Sequence, residues 1–216
     1  MKKLIPIGET DPIKYYSWPI FGKYYWDRVR IALEKCNGGN RILEIGFGSG
    51  VTFPHLLKKY KKVYGIEYQH PKDISKIKEY TMLAGPNMHL SSGDAFLIPF
   101  EKNAFDTVLL ISVLEHFTPN HLYDVFKEIH RVLVPGGKLV YGVPIDNLIT
   151  QIGFRMLVTN IKHYHLSNEQ QVATAASNNF SLLEKDRMNL LIPNSIKSKI
   201  FAIYEVCKWG KKQPHK

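Results

Sequence analysis

Between residues 41 and 143 short, uninterrupted apolar runs alternate with stretches of helical periodicity. This alternation constrains the fold more than any other feature of the chain. Residues 41–45, 62–67, 88–91, 105–112 and 138–143 read as strands, and residues 51–60, 71–83 and 119–133 as helices. In the last helix Leu122, Val125, Phe126, Ile129, Val132 and Leu133 form one apolar stripe. Thr118 stands at its cap, Pro119 in its first turn, and Pro135-Gly136-Gly137 closes it. Strands without polar alternation are buried on both faces, which a parallel sheet with helical crossovers permits. The expectation is an α/β fold with a doubly wound, mostly parallel sheet of six to seven strands and helices on both faces. Right-handed crossovers then place a ligand at the carboxyl ends of the strands.

The flanks are less regular. Residues 17–36 read as a helix capped by Ser17, with Pro19 in its first turn and Phe21, Tyr25, Ala32, Leu33 and Cys36 at helical spacing; Asn37-Gly38-Gly39-Asn40 stops it. Residues 145–166 read as an irregular excursion. A helix follows at 167–178, with Ser167 and Gln170 spaced as a capping box, and then a strand at 180–189. Residues 196–209 fit a basic amphipathic helix or a last strand equally. A chain of 216 residues, 44% of them hydrophobic, builds one sizeable core. The expected layout is a single domain: a helical cap over 1–38, a central core over 39–144, and a final region over 145–216.

The formal net charge is +10, and half of it lies in residues 194–216, where six lysines face one glutamate. That surplus suits weak contact with an anionic membrane or a nucleic acid, and equally a solvated lysine-rich surface. Cys36 and Cys207 make neither a disulfide framework nor a metal-ligand cluster, so no metal is expected and a reduced compartment is. The apolar run of the N-terminus is broken by Pro6, Gly8 and Glu9 before it makes a signal peptide. No stretch approaches the ~20 apolar residues of a membrane span. The sequon Asn179-Phe180-Ser181 is therefore read as chance, and the expected location is cytoplasmic, at most peripheral to a membrane.

The chemistry concentrates at Leu43-Glu44-Ile45-Gly46-Phe47-Gly48-Ser49-Gly50, where a strand meets a helix. Glycines there allow a tight turn and let backbone N–H groups approach a ligand. A dinucleotide fingerprint needs a small residue where Val51 stands, which disfavours a nicotinamide oxidoreductase. The glycines alternate instead as E-x-G-x-G-x-G, and this spacing resembles the first motif of class I S-adenosylmethionine-dependent methyltransferases of the small-molecule type. Glu67 ends the second strand, Gly93-Asp94-Ala95 follows the third, and residues 105–116 lead from the fourth towards Pro135-Gly136-Gly137, as in that family. The resemblance covers residues 41–144 and implies a Rossmann-like fold with S-adenosylmethionine as cofactor.

It further implies that Glu44, Gly46, Phe47, Gly48 and Gly50 hold the methionine part and that Ile111 and Ser112 form one wall. Glu67 would take the ribose hydroxyls, Asp94 the adenine amino group with the N–H of Ala95 on the ring, and Tyr68 would flank the adenine. The N-terminal helix around Tyr15, Tyr16 and Trp18 would cover the cleft. Methyl transfer from a sulfonium is an in-line displacement that rewards positioning, so the fold demands no named catalytic residue. If the acceptor must lose a proton, His116 is the first choice as base, with Glu115 beside it. Asp146, His163 and His165 would border the acceptor. The leading expectation is methylation of an O, N or C nucleophile on a small-molecule or lipid- or saccharide-like acceptor. A nucleic-acid methyltransferase and a non-catalytic cofactor-binding regulatory subunit are the alternatives. Neither an Asn-Pro-Pro-Tyr nor an Asp-Pro-Pro-Tyr motif follows the fourth strand, and no separate RNA-binding module is visible.

Overall fold

The computed structural model describes residues 16, 21–68, 86–147, 165–189 and 201–213. They form a seven-stranded sheet in the order β3-β2-β1-β4-β5-β7-β6. The strands are β1 (Gly39–Ile45), β2 (Tyr60–Glu67), β3 (Met88–Ser92), β4 (Phe105–Ile111), β5 (Leu133–Pro144), β6 (Phe180–Asn189) and β7 (Ala202–Lys211). Strands β1 to β5 pair in parallel, and β7 runs antiparallel between β5 and β6. The helices are α1 (Phe21–Lys35), α2 (Phe53–Leu56), α3 (Pro119–Val132) and α4 (Glu169–Asn179), and a 3-10 turn spans Leu114–His116. The order reverses between β1 and β4, so their carboxyl ends border the crevice where ligands of such sheets lie.

Two apolar layers sandwich the sheet. On one face Val108, Leu110, Leu139, Tyr141 and Trp209 meet Leu122, Val125, Phe126 and Ile129 of α3 and Val172 and Ala176 of α4. On the other, Leu109, Val140, Tyr204 and Val206 meet Val29, Ala32 and Leu33 of α1 and Cys36 just after it. Alternate residues of β4 and β5 thus feed opposite layers, which is why those strands carry no polar alternation.

Several boundaries differ from expectation. The helix read over 51–60 is a single turn, because Tyr60 is drawn into β2 by pairing with Gly39 and its hydroxyl bonds to Thr107 Oγ1 at 2.9 Å. Thr118 holds the cap position of α3, but its side chain makes no capping bond; its carbonyl accepts the Leu122 N–H at 3.1 Å. Helix α3 ends at Val132 and the chain enters β5 directly, leaving Val134–Gly137 as a bulge within the strand opposite Asp106. The capping box of α4 is Asn168 with Gln171, one residue later than read, since the Ser167 hydroxyl is taken by the Phe117 carbonyl at 2.6 Å.

Within the basic C-terminal segment residues 202–211 form β7, buried along almost its whole length, while 194–200 and 214–216 lie outside the described residues. Its buried charged residues Glu205 and Lys208 are compensated: Lys185 and Arg187 flank Glu205 at 2.8 and 3.0 Å, and Lys208 Nζ lies 2.8 Å from Glu184. Edge strand β6 carries the charged run Glu184-Lys185-Asp186-Arg187, which discourages further strand addition. The helix read over 71–83, the caps Ser17 and Pro19, and most of the 145–166 excursion lie outside the described residues. Among the described residues no helix is long and apolar enough to cross a membrane.

Candidate functional site

Strand β1 delivers the chain to the switch point and the glycines then turn it. Gly46, Gly48 and Gly50 sit at φ +70°, +47° and +66°, a region an L side chain enters at a cost of about 1–2 kcal/mol. A Cβ on Gly46 would meet Val113 Cγ2 at 2.5 Å, so the loop abuts the turn after β4. The Phe47 ring is buried beneath the loop, 5.3 Å from the Phe53 ring. Its side chain thus supports the loop from the core.

Two acids frame this loop. Glu44, buried in β1, accepts a hydrogen bond from Thr52 Oγ1. Burial pushes its carboxyl up to about 8, against the lowering effect of that bond and with a smaller push from Glu67. Glu67 ends β2, and its Oε2 accepts the Gly48 N–H at 2.9 Å while Oε1 accepts the Tyr68 N–H at 3.1 Å. The acid expected to grip ribose hydroxyls therefore faces the glycine loop. A carboxylate accepts about four hydrogen bonds, so holding the loop and holding hydroxyls are compatible.

The loop after β3 is clamped from α3. Arg131 donates to the carbonyls of Ile98 and Phe100 at 2.9 and 2.8 Å and to Glu128, whose Oε2 accepts the Ile98 N–H at 3.1 Å. Asp94 Oδ1 accepts the Phe96 N–H at 2.9 Å, an Asx turn that fixes the loop's start. Ala95 packs into the core and Tyr68 stands exposed at the rim. Glu67, Tyr68, Asp94 and Ala95 thus lie at neighbouring ends of β2 and β3.

Beyond β4 the residues converge on a second cluster. Ser112 has φ +54°, and its hydroxyl lies 2.8 Å from the Tyr204 hydroxyl and accepts from Arg28 Nη1 at 3.0 Å. Ile111, before it, packs against the α1 layer. Arg28 Nη2 reaches the buried Tyr16 hydroxyl at 3.5 Å, and the guanidinium lies 4.3 Å from the Tyr25 ring centroid. Glu115 is buried, and burial pushes its carboxyl up to about 7, against the pull of His116 and Arg28. His116 is exposed with its ring 5.8 Å from that of His165, whose pKa is lowered by burial and by His116. Asp146 is exposed just past β5, its N–H on Glu169 Oε2 at 3.2 Å. Tyr15, Trp18 and His163 lie outside the described residues.

The sequence reading passed over Arg28, Thr52 and Tyr204. For Arg28 a signal was present: it stands between Tyr24 and Ala32 at four-residue spacing, a cation on the stripe that α1 turns to the sheet. Nothing local marked Tyr204, whose place depends on β7 pairing with β5.

The donor set fits an adenosyl amino acid: alternate left-handed glycines, an acid at the end of β2 and a clamped aspartate after β3. Residues 43–141 match the family described as "Methyltransferase domain". The chain is 33% identical over 119 residues to a Bos taurus protein named "Probable tRNA methyltransferase 9B", covering 53% of this chain and 24% of that one. It is 26% identical to the tRNA N(3)-methylcytidine methyltransferase trm140 of Schizosaccharomyces pombe, over 89% of this chain and 74% of that one. This chain therefore spans about a quarter of the bovine protein. In three dimensions it resembles the N-methyltransferase NodS of Bradyrhizobium japonicum in complex with S-adenosyl-L-homocysteine, with TM-score 0.70, 16% identity and coverage of 95% of this chain and 94% of that one. Over residues 43–141, a little under half its length, the chain is thus similar to methyltransferase domains.

Proposed function

We propose that the chain methylates a small acceptor held between α1, the carboxyl ends of β4 and β5 and the amino end of β7. The observation that carries this reading is the aromatic roof. Tyr16 meets Tyr25 and Trp26 at centroid distances of 5.3 and 5.0 Å, and Tyr24 meets Tyr25 and Tyr204 at 5.2 and 6.3 Å. Rings set against the tips of buried strands enclose a small molecule, whereas a polynucleotide needs an open basic groove. The likeness to NodS along nearly all of both chains shows the same fold at the same size.

In this reading Gly46, Gly48, Gly50 and Glu67 position the cofactor, with Glu44 and Thr52 bracing the loop and Asp94 and Ala95 on the adenine side. The bound cofactor supplies an activated methyl group on a cationic sulfur. Ile111 and Ser112 bound the reacting centre. Glu115, with its carboxyl near 7 and Oε2 buried without a partner, takes the acceptor's proton, and exposed His116, beside His165, exchanges it with solvent. A base of this kind contributes ~10²–10⁴-fold. His116→Ala then slows turnover more than it weakens cofactor binding; equal losses would reduce His116 to a cofactor contact.

The names of the bovine and fission-yeast relatives favour tRNA as a second reading. The two are separated by incubating the protein with methyl-labelled S-adenosylmethionine and either total tRNA or a small-molecule extract. Label in the extract is expected; label in tRNA would overturn the small-acceptor reading in favour of the second.

A further inference from the structure

We propose that Arg28 anchors an anionic group of the methyl acceptor, a carboxylate or a phosphate, beside Ser112, Tyr16 and Tyr204; this rests on the small-acceptor reading. Arg28 is buried, with 7% of its surface exposed. The hydrogen bonds it makes go to neutral hydroxyls, those of Ser112 and Tyr16. Its Nε is buried without a hydrogen-bond partner, and among the described residues no carboxylate forms an ion pair with it. A guanidinium cannot escape burial by losing its proton. A buried cation without a counter-charge is costly, and a fold that keeps one provides for an anion to complete it.

The neighbouring acid does not serve. Glu115, on the turn after β4, feels Arg28 electrostatically but makes no ion pair with it among the described residues, and burial raises its carboxyl to about 7. Its Oε2 is likewise buried and unpartnered. A donor on α1 and an oxygen beyond β4 are therefore left open together, matching a ligand that carries both an anionic oxygen and an O–H or N–H. The cluster also lies on the acceptor side. Tyr204 comes from β7 and lies against β5, where a Cβ on Gly142 would stand 2.6 Å from Tyr204 Cε1; from there its hydroxyl reaches Ser112. Glu67 and Asp94 lie on the far side of β1, at the ends of β2 and β3.

The test uses the full chain loaded with S-adenosylhomocysteine and inorganic phosphate as the probe, comparing wild type with Arg28→Met, Arg28→Gln and Arg28→Lys by melting temperature. Phosphate at ten times its Kd should raise the wild-type value by about 3–6 °C, additively with S-adenosylhomocysteine. Met and Gln should abolish that rise and Lys retain part of it. Without phosphate, Arg28→Met should melt no lower than wild type, because an uncompensated charge has been removed; a purely structural arginine would instead lower it and leave the phosphate response intact. Equal responses in wild type and either neutral variant overturn the proposal. So does a loss of about tenfold or more in S-adenosylhomocysteine affinity on Arg28→Met that spares 5′-methylthioadenosine, since the partner would then be the cofactor's own carboxylate. Should S-adenosylhomocysteine fail to bind wild type, the cofactor assignment fails, and phosphate on the unloaded protein still decides the Arg28 site.

Discussion

Glu44 is a carboxyl kept out of water beside a loop that must hold its shape. Its folded pKa of about 8 lies above the ordinary 4.5, chiefly through burial. Between those values the folded state binds more protons than the unfolded state, so stability falls as pH rises across that window and levels off above it. Glu44→Gln keeps an acceptor for Thr52 and removes the titration. Its melting temperature should fall less than that of wild type between roughly pH 5 and pH 8; parallel curves would show that Glu44 does not titrate there. Gly46 is constrained twice, by φ +70° and by Val113 at 2.5 Å from a notional Cβ. Gly46→Ala should cost at least ~1–2 kcal/mol from the backbone alone. Adding Val113→Ala should recover only the steric part, which denaturant titration of the single and double variants can resolve. Glu67→Ala should weaken S-adenosylhomocysteine binding by about tenfold or more, from the loss of charge-assisted bonds together with the Gly48 tether. Calorimetric affinities equal to wild type would remove Glu67 from the site.

Among the elements, α3 has a task beyond closing the core. Through Glu128 and Arg131 it grips the loop after β3, where Asp94 stands. Arg131→Ala frees the carbonyls of Ile98 and Phe100 without opening the buried stripe. Amide exchange should quicken over residues 96–100 and cofactor affinity should drop several-fold, with the melting temperature nearly unchanged. Protection identical to wild type there would show that the loop holds itself. Helix α1 has a comparable double role: Val29, Ala32 and Leu33 pack it on the sheet, while Tyr24, Tyr25 and Arg28 form one side of the proposed acceptor space.

For the whole molecule, the strand contributed by the C-terminal segment matters most. Strand β7 joins β5 to β6 and supplies Tyr204, so the site and the sheet depend on the same segment. Ending the chain at residue 201 should abolish cooperative unfolding rather than trim a basic tail; a soluble product with the wild-type transition would contradict this. The net charge of +10 is also less available than the sequence implies, since Lys208 is engaged by Glu184 and Asn37, and Lys211 by Asn103 and the Leu133 carbonyl.

The five parallel strands, the glycine loop and Glu67 were legible because each is a local pattern: an apolar run, a spacing of glycines, an acid at a strand's end. Such patterns are set by backbone sterics and by which faces must be dry, and both are written residue by residue. That residues 202–211 are strand rather than helix was not decided locally, because Glu205 and Lys208 are admitted to a buried position by Lys185, Arg187 and Glu184 on the partner strand. Nor was the shortness of α2, which the pairing of Tyr60 with Gly39 imposes. The cluster of Arg28, Ser112, Glu115 and Tyr204 joins residues as many as 176 positions apart. Its electrostatics follow from burial and long-range neighbours, which no local window contains and which only the closed sheet brings together.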